Sequence, residues 1–378
     1  MAPGVVSELV EAAAAERPDA PGAVFPEERA TYRELRDRCA EEARRLLSLG
    51  LVPGDRLGIL VSNTLRHLEV LLGAMWTGIL PVPLNTRFKA RDLGYVVGHS
   101  QMRVLIAESG TEELAREAAP PECRVVLIDD DDGDRATVSA ETVEQLAARV
   151  RPEDPAIILY TSGTTANPKG AVHTHSSLVA EGRNIEERLE LHPGDRFWTP
   201  LPLFHSGGIC TSMGAFASRA TLVHAGNFDA GVALHQLESE RVTHAFPAFE
   251  TIWLAVLDHP DFPTADLSAL RVVINVGSPE RLRMMQERLP SAVQISSFGS
   301  TECCGFMCMG RVTDPLELRV TTSGTVMSGM EIRAVDPATG EDVPPGTPGE
   351  ALYRGVTRFK EYFRDPEATR NAIDDDGW

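Results

Sequence analysis

Short apolar runs, each bounded by polar or turn-forming residues, recur along this chain and constrain its fold more than any other feature. They include RLGILV at 56–61, ILPVPL at 79–84, RVLIAE at 103–108, RVVLID at 124–129 and AIILY at 156–160. ATLVHA at 220–225, THAF at 243–246, RVVIN at 271–275 and VQISSF at 293–298 continue the series. Runs this short suit strands buried on both faces, and helix-length segments fall between most of them. The expectation is therefore an α/β fold with two largely parallel sheets flanked by helices.

The helical segments carry their own start and stop signals. TYRELRDRCAEEARRLLSLG opens with Thr31 and Glu34 at capping-box spacing, aligns Leu35, Cys39, Ala43 and Leu46 on one face, and stops at Gly50. After about Gly305 the texture changes to Gly, Pro and Thr with short β-type runs, which predicts a small antiparallel, β-barrel-like unit rather than more crossovers. Three units are expected: residues 1–190, 191–305 and 306–378. The acidic stretch DDDDGD at 129–134 reads as a solvated turn, since it lacks calcium-loop spacing.

Charge and cysteine content narrow the function classes. With 36 Lys and Arg against 55 Asp and Glu, the formal charge of −19 disfavours nucleic acid and anionic membrane as partners. The start has no basic segment leading into an apolar one, and no apolar stretch reaches the roughly eighteen residues of a membrane span. A soluble, cytoplasmic chain is expected. The six cysteines, sparse and mostly in apolar context, suit reduced thiols. Cys303, Cys304 and Cys308 cluster, but without paired ligand spacing a structural zinc site is not expected.

The most distinctive stretch is YTSGTTANPKG at 160–170, which lies between the apolar run AIILY and the run GAVHTH. Ligands of open α/β sheets bind at strand carboxyl ends, where this loop falls. Gly163 and Gly170 permit close backbone approach; Thr161, Ser162, Thr164 and Thr165 bring hydroxyls, and Lys169 a positive charge. Such a donor set suits phosphate oxygens. It is not a Walker A loop, because Lys169 precedes Gly170 and no Ser or Thr follows. On residue types alone a plain Ser/Thr/Gly turn remains equally open.

The stretch closely resembles the phosphate-binding signature of the adenylate-forming enzymes, which include acyl-CoA synthetases, luciferases and peptide-synthetase adenylation domains. PLFHSGG at 202–208, GSP at 277–279, FGSTE at 298–302 and a final block from GTPGEALYRG to DDDGW resemble further family segments in the family's order. The likeness covers nearly the whole chain. In that family a Thr-Gly-Asp ribose site, a hinge and a small C-terminal domain with the adenylation lysine follow. The resemblance thus implies a large N-terminal portion lacking that domain and impaired in thioester formation on its own.

The implied function is an ATP-dependent carboxylic acid:CoA ligase of the acyl-CoA synthetase type, which forms an acyl-adenylate and then a thioester. Implied partners are a small carboxylic acid, ATP, Mg²⁺ and CoA, and a homodimer is compatible with this. By resemblance, Thr161, Ser162, Gly163, Thr164, Thr165 and Lys169 cradle the β- and γ-phosphates, Thr301 contacts the α-phosphate, and Glu302 holds Mg²⁺. Phe298 with Gly299, and Gly277, Ser278 and Pro279, border the adenine. His205 stands beside the carboxylate, and Phe246 and Val276 border the acyl pocket. No carboxylate occurs in PLFHSGG, where amino-acid-activating members carry an Asp, which points to an acid without an α-amino group. Ala166 and Val276 depart from the family's small-residue pattern, the second implying a narrowed pocket. Two alternatives stay open: an acyl-AMP ligase that loads a carrier protein, and a non-catalytic nucleotide-binding protein.

Overall fold

The alternation of apolar runs builds two parallel sheets that share a layer of helices. The computed structural model describes residues 4–130, 137–161 and 167–378. The larger sheet has seven strands in the order Val293–Ile295, Val272–Val276, His244–Phe249, Arg196–Thr199, Thr221–His224, Pro21–Val24 and Arg29–Thr31. Every neighbouring pair is parallel except the last. The smaller sheet is all parallel, in the order Leu80–Pro83, Arg56–Leu60, Val104–Ala107, Arg124–Leu127.

Period-two alternation decides which core each side chain joins. In the larger sheet Phe197, Leu222 and Ile274 enter the central core, while their neighbours Trp198, Val223 and Val273 enter an outer core on the opposite face. In the smaller sheet Leu57, Ile59 and Ile106 face the central core, and Leu60, Val82, Leu105 and Ala107 face the other side. Both sheets are therefore covered on both faces, which is why their strands read as unbroken apolar runs. Each fully buried Leu, Ile or Phe contributes about 1.5–3 kcal/mol relative to exposure.

The central helices include Tyr32–Ser48, whose capping box forms as expected: Thr31 Oγ1 accepts from the Glu34 amide at 3.2 Å while Glu34 accepts from the Thr31 amide at 2.8 Å. Leu35, Cys39, Ala43 and Leu46 are all fully buried. Helices His175–Leu189 and Ser206–Ser218 cross closely, because a side chain at Gly182 would come within 2.6 Å of the Met213 carbonyl oxygen. That close approach also brings Glu181 beside Cys210.

Three local features differ from a plain βα reading. AIILY and GAVHTH form an antiparallel hairpin, Pro155–Thr161 with Lys169–Thr174, and Glu361–Tyr362 pairs on its outer edge. VQISSF splits: Val293–Ile295 ends the larger sheet, and Ser297–Phe298 begins a separate antiparallel sheet with Cys308–Met309 and Thr325–Val326. The antiparallel texture expected after Gly305 is present in that sheet and in the ribbon of Met330–Val335 with Glu350–Gly355. No closed barrel forms among the described residues, because these strands belong to separate two- and three-stranded sheets. Among the described residues no helix is long and apolar enough to cross a membrane.

Candidate active site

Three loops at the carboxyl edge of the larger sheet enclose a cavity of about 350 Å³. Its walls include Leu201, His205 and Cys210 from the segment around helix Ser206–Ser218, Phe246, Ala248 and Phe249 from strand His244–Phe249, and Val276. Phe298, Thr301 and Phe306 close the remaining side. The strand carrying Phe246 bulges between Ala245 and Ala248, and Ala248 adopts a left-handed backbone with φ of 62°. A bulge re-aims side chains, and here Phe246 and Ala248 both line the cavity. The Phe246 and Phe306 rings meet at 4.8 Å, so the lining is largely apolar and aromatic.

His205 is the N-cap of helix Ser206–Ser218, with Nδ1 accepting from the Gly207 amide at 3.0 Å. Its outer edge faces the cleft, while the protein around the ring desolvates it and lowers its pKa. His205, Ser206 and Thr301 also border a second recess of about 160 Å³, which they share with Tyr160 and Thr161. His205 and Thr301 therefore stand where the apolar cavity meets the mouth of the hairpin.

At that mouth Thr161 is in register with Lys169, and Thr161 Oγ1 donates to the Lys169 carbonyl at 3.4 Å. Ser162, Gly163, Thr164, Thr165 and the departure Ala166 lie outside the described residues. Lys169 Nζ stands 4.9 Å from the centroid of the Tyr362 ring. Tyr362 in turn donates from its hydroxyl to Glu302 Oε1 at 2.8 Å. Burial and the neighbouring carboxylate push the Tyr362 phenol pKa up, keeping it a donor. Lys169, Tyr362 and Glu302 thus form one chain of contacts.

Thr301 and Glu302 sit on a tight turn spanning residues 299–306. A side chain at Gly299 would lie 1.7 Å from the Gly305 carbonyl oxygen, so only glycine permits this return of the backbone. Inside the turn the Gly305 amide donates to the Ser300 carbonyl at 3.2 Å and the Cys304 amide to the Thr301 carbonyl at 3.0 Å. From the hairpin, buried His173 donates through Nε2 to the same Thr301 carbonyl at 2.8 Å. Desolvation lowers the His173 pKa to about 4, so the ring is neutral with its proton on Nε2. From the C-terminal segment the Phe359 amide donates to the Glu302 carbonyl at 2.7 Å.

The expected site residues fall in several places. His205, Phe246, Val276, Phe298, Gly299 and Thr301 line the cavity. Glu302 lies on the far side of the turn, where it borders a recess of about 290 Å³ with Tyr353, Arg358, Tyr362 and Trp378. Gly277, Ser278 and Pro279 follow Val276 directly, and Ser278 caps helix Pro279–Arg288. Tyr362, His173 and Glu181 were not singled out in the sequence. Only Tyr362 carried a signal there, standing inside the block that resembles the family.

Glu302 offers one carboxylate, with Oε1 taken by Tyr362. Among the described residues no three His, Cys, Asp or Glu side chains group as a metal site of the protein's own. A single carboxylate fits Mg²⁺, which takes one or two carboxylates and completes its shell from phosphates and water.

The AMP-binding enzyme family matches residues 10–363. The putative acyl-CoA synthetase YngI of Bacillus subtilis is 30% identical over 418 residues, an alignment that takes in 99% of this chain and 75% of that protein. A feruloyl-CoA synthase of Amycolatopsis is 31% identical, over 92% of this chain and 69% of its own length. The fold is similar to that of a Mycobacterium tuberculosis fatty acyl CoA synthetase, with a TM-score of 0.85 at 23% identity over 99% of this chain and 74% of that one.

Proposed function

Because the chain belongs to the AMP-binding enzyme family, we propose that it activates a carboxylic acid with ATP and transfers the acyl group to the thiol of CoA. The first step joins a carboxylate oxygen to the α-phosphorus of ATP and releases pyrophosphate. The second joins the CoA sulfur to the acyl carbon and releases AMP. Similarity to an acyl-CoA synthetase and a feruloyl-CoA synthase supports this reading.

The observation that carries it for these residues is the meeting of an apolar cavity with a polar strip at His205 and Thr301. Both reacting partners are negatively charged, so the site must align and neutralise rather than attack. Lys169 and the hairpin hydroxyls hold the outer phosphates, and Thr301 binds the α-phosphate. Glu302 holds Mg²⁺, which supplies positive charge to the phosphate oxygens. Phe298 and the Gly277–Ser278–Pro279 segment bracket the adenine, since flat apolar walls suit a purine.

The acyl part occupies the cavity beside Phe246 and Val276, with its carboxylate near His205. Among the described residues no acidic side chain lines that cavity, so an ammonium group would find no partner among them. Aryl and short aliphatic acids fit it better than amino acids. ATP–pyrophosphate exchange across fatty, aryl and amino acids, with Lys169→Ala as control, tests the reading. Exchange with one acid class supports it, and acceptor assays with free CoA against a carrier protein then separate the two thiols. ATP binding without exchange for any acid would instead indicate a nucleotide-binding protein.

A further inference from the structure

We propose that Glu181 is a positioning residue for the adenylation step: from helix His175–Leu189 it holds the Thr301–Glu302 turn from inside, through the Phe306 amide. The inference rests on the function proposed above and adds to it a residue that touches neither nucleotide nor acid. Glu181 is fully buried, and its Oε1 accepts from the Phe306 amide at 2.9 Å. Among the described residues its Oε2 has no hydrogen-bond partner. A side chain at Gly305 would lie 3.1 Å from Glu181 Oε1, so the carboxyl sits directly behind the backbone that closes the turn.

A single donated hydrogen bond is too little to hold a buried carboxylate, and burial pushes the Glu181 pKa up to about 8. The ionisable groups that face it are thiols: Cys210 from helix Ser206–Ser218 and Cys303 and Cys304 from the turn. Burial raises all three, Cys303 to about 11, so they stay neutral, and a thiol carries no positive charge in either form. At neutral pH the protonated acid accepts the Phe306 amide without introducing charge. Ionisation strengthens Oε1 as an acceptor but leaves charge on Oε2 away from solvent, so the turn must shift to let water reach it. Thr301 and Glu302 then leave their positions, although neither has titrated.

The His173 bond to Thr301 and the Phe359 bond to Glu302 hold the same turn from other sides, but neither pins its closing end. Glu181 bonds the Phe306 amide, next to the Gly305 carbonyl that packs against Gly299.

The test compares the full chain with Glu181→Gln and Glu181→Ala, reading ATP–pyrophosphate exchange from pH 6 to 10. Hydrogen exchange of the Phe306 amide, corrected for its intrinsic pH dependence, is measured alongside. Wild-type exchange should fall about tenfold per pH unit above about 8. Glu181→Gln keeps an uncharged acceptor, so it should restore exchange at pH 7 to within about threefold of wild type and abolish the alkaline fall. Glu181→Ala should lose about tenfold in exchange at every pH and leave the Phe306 amide unprotected.

An alkaline fall that survives in Glu181→Gln, or full Phe306 protection in Glu181→Ala, overturns the proposal. If the wild type exchanges pyrophosphate with no acid, the proposed function fails on its own. The Phe306 protection of the three chains then decides the role of Glu181.

Discussion

The turn at 299–306 and the wall formed by Phe249 and Val276 face the same cavity but are held in opposite ways. The turn is tied by backbone bonds of its own and by His173, Phe359, Tyr362 and Glu181 from three other parts of the chain. Phe249 and Val276 are 52% and 47% exposed and pair side by side at the ends of their strands. Placing charge against a phosphate needs atoms fixed to a fraction of an ångström, whereas an apolar acyl group needs only a shape. Substitutions in the turn should therefore remove activity, and substitutions in the wall should redirect it.

The sharpest way to break this contrast is Glu302→Gln. It preserves the shape of the side chain and the contact with Tyr362, yet removes the only carboxylate on the turn. We expect Mg²⁺·ATP-dependent exchange to fall by about a hundredfold or more, on the order of 3 kcal/mol of lost electrostatic stabilisation. Unchanged exchange would take Glu302 out of the metal role and leave the turn without a reason for its many restraints.

Gly299→Ala attacks the same turn through sterics alone. The added methyl carbon would meet the Gly305 carbonyl at 1.7 Å, so the turn must open. Overpacking of this kind costs about 1–3 kcal/mol, and we expect a loss of about tenfold or more in exchange with a lowered melting temperature. A wild-type melting curve combined with wild-type exchange would show that the turn tolerates rearrangement.

How much of this was legible in the sequence follows the same division. The sheets were, because strands buried on both faces leave apolar runs such as RVVIN that no surface element shares. The short strand Pro21–Val24, written PGAV, was not, since it is specified by the neighbouring strand Thr221–His224 two hundred residues away. The antiparallel sense of the Pro155–Thr161 hairpin was also hidden: a strand with both faces covered looks the same whichever way its neighbour runs. Local motifs marked Thr301, His205 and Lys169. Glu181 and His173 act through contacts 125 and 128 residues distant along the chain, and no local pattern announces such partners.

Tyr362→Phe probes the contact network outside the turn. It removes the hydroxyl that donates to Glu302 and keeps the ring beneath Lys169 Nζ. A hydrogen bond to a charged group contributes about 1.5 kcal/mol or somewhat more, so the expected effect is a rise of roughly tenfold in the KM for Mg²⁺·ATP. The KM for the acid should not change. A change confined to the acid would place Tyr362 with the wall rather than with the phosphates.

Val276→Gly tests the wall and carries the smallest expected effect on rate. Val276 ends the strand Val272–Val276 and projects into the cavity beside Phe249 and Phe298, just before the segment Gly277–Ser278–Pro279. Because it is half exposed, removing its isopropyl group leaves no sealed void and should cost little more than the roughly 0.5–1 kcal/mol of glycine's backbone entropy. The opened cavity should accept bulkier acids. One or two methylenes of added room shift selectivity by about 1–3 kcal/mol, so the ratio of kcat/KM for a branched or ring-substituted acid over a short linear one should rise about tenfold. The KM for ATP should stay within about twofold, because the change leaves the bonds that hold the turn in place. An unchanged acid preference would show that selection lies elsewhere in the cavity, at the buried Phe246–Phe306 pair, where packing is as tight as in the turn and the contrast between the two regions would no longer hold.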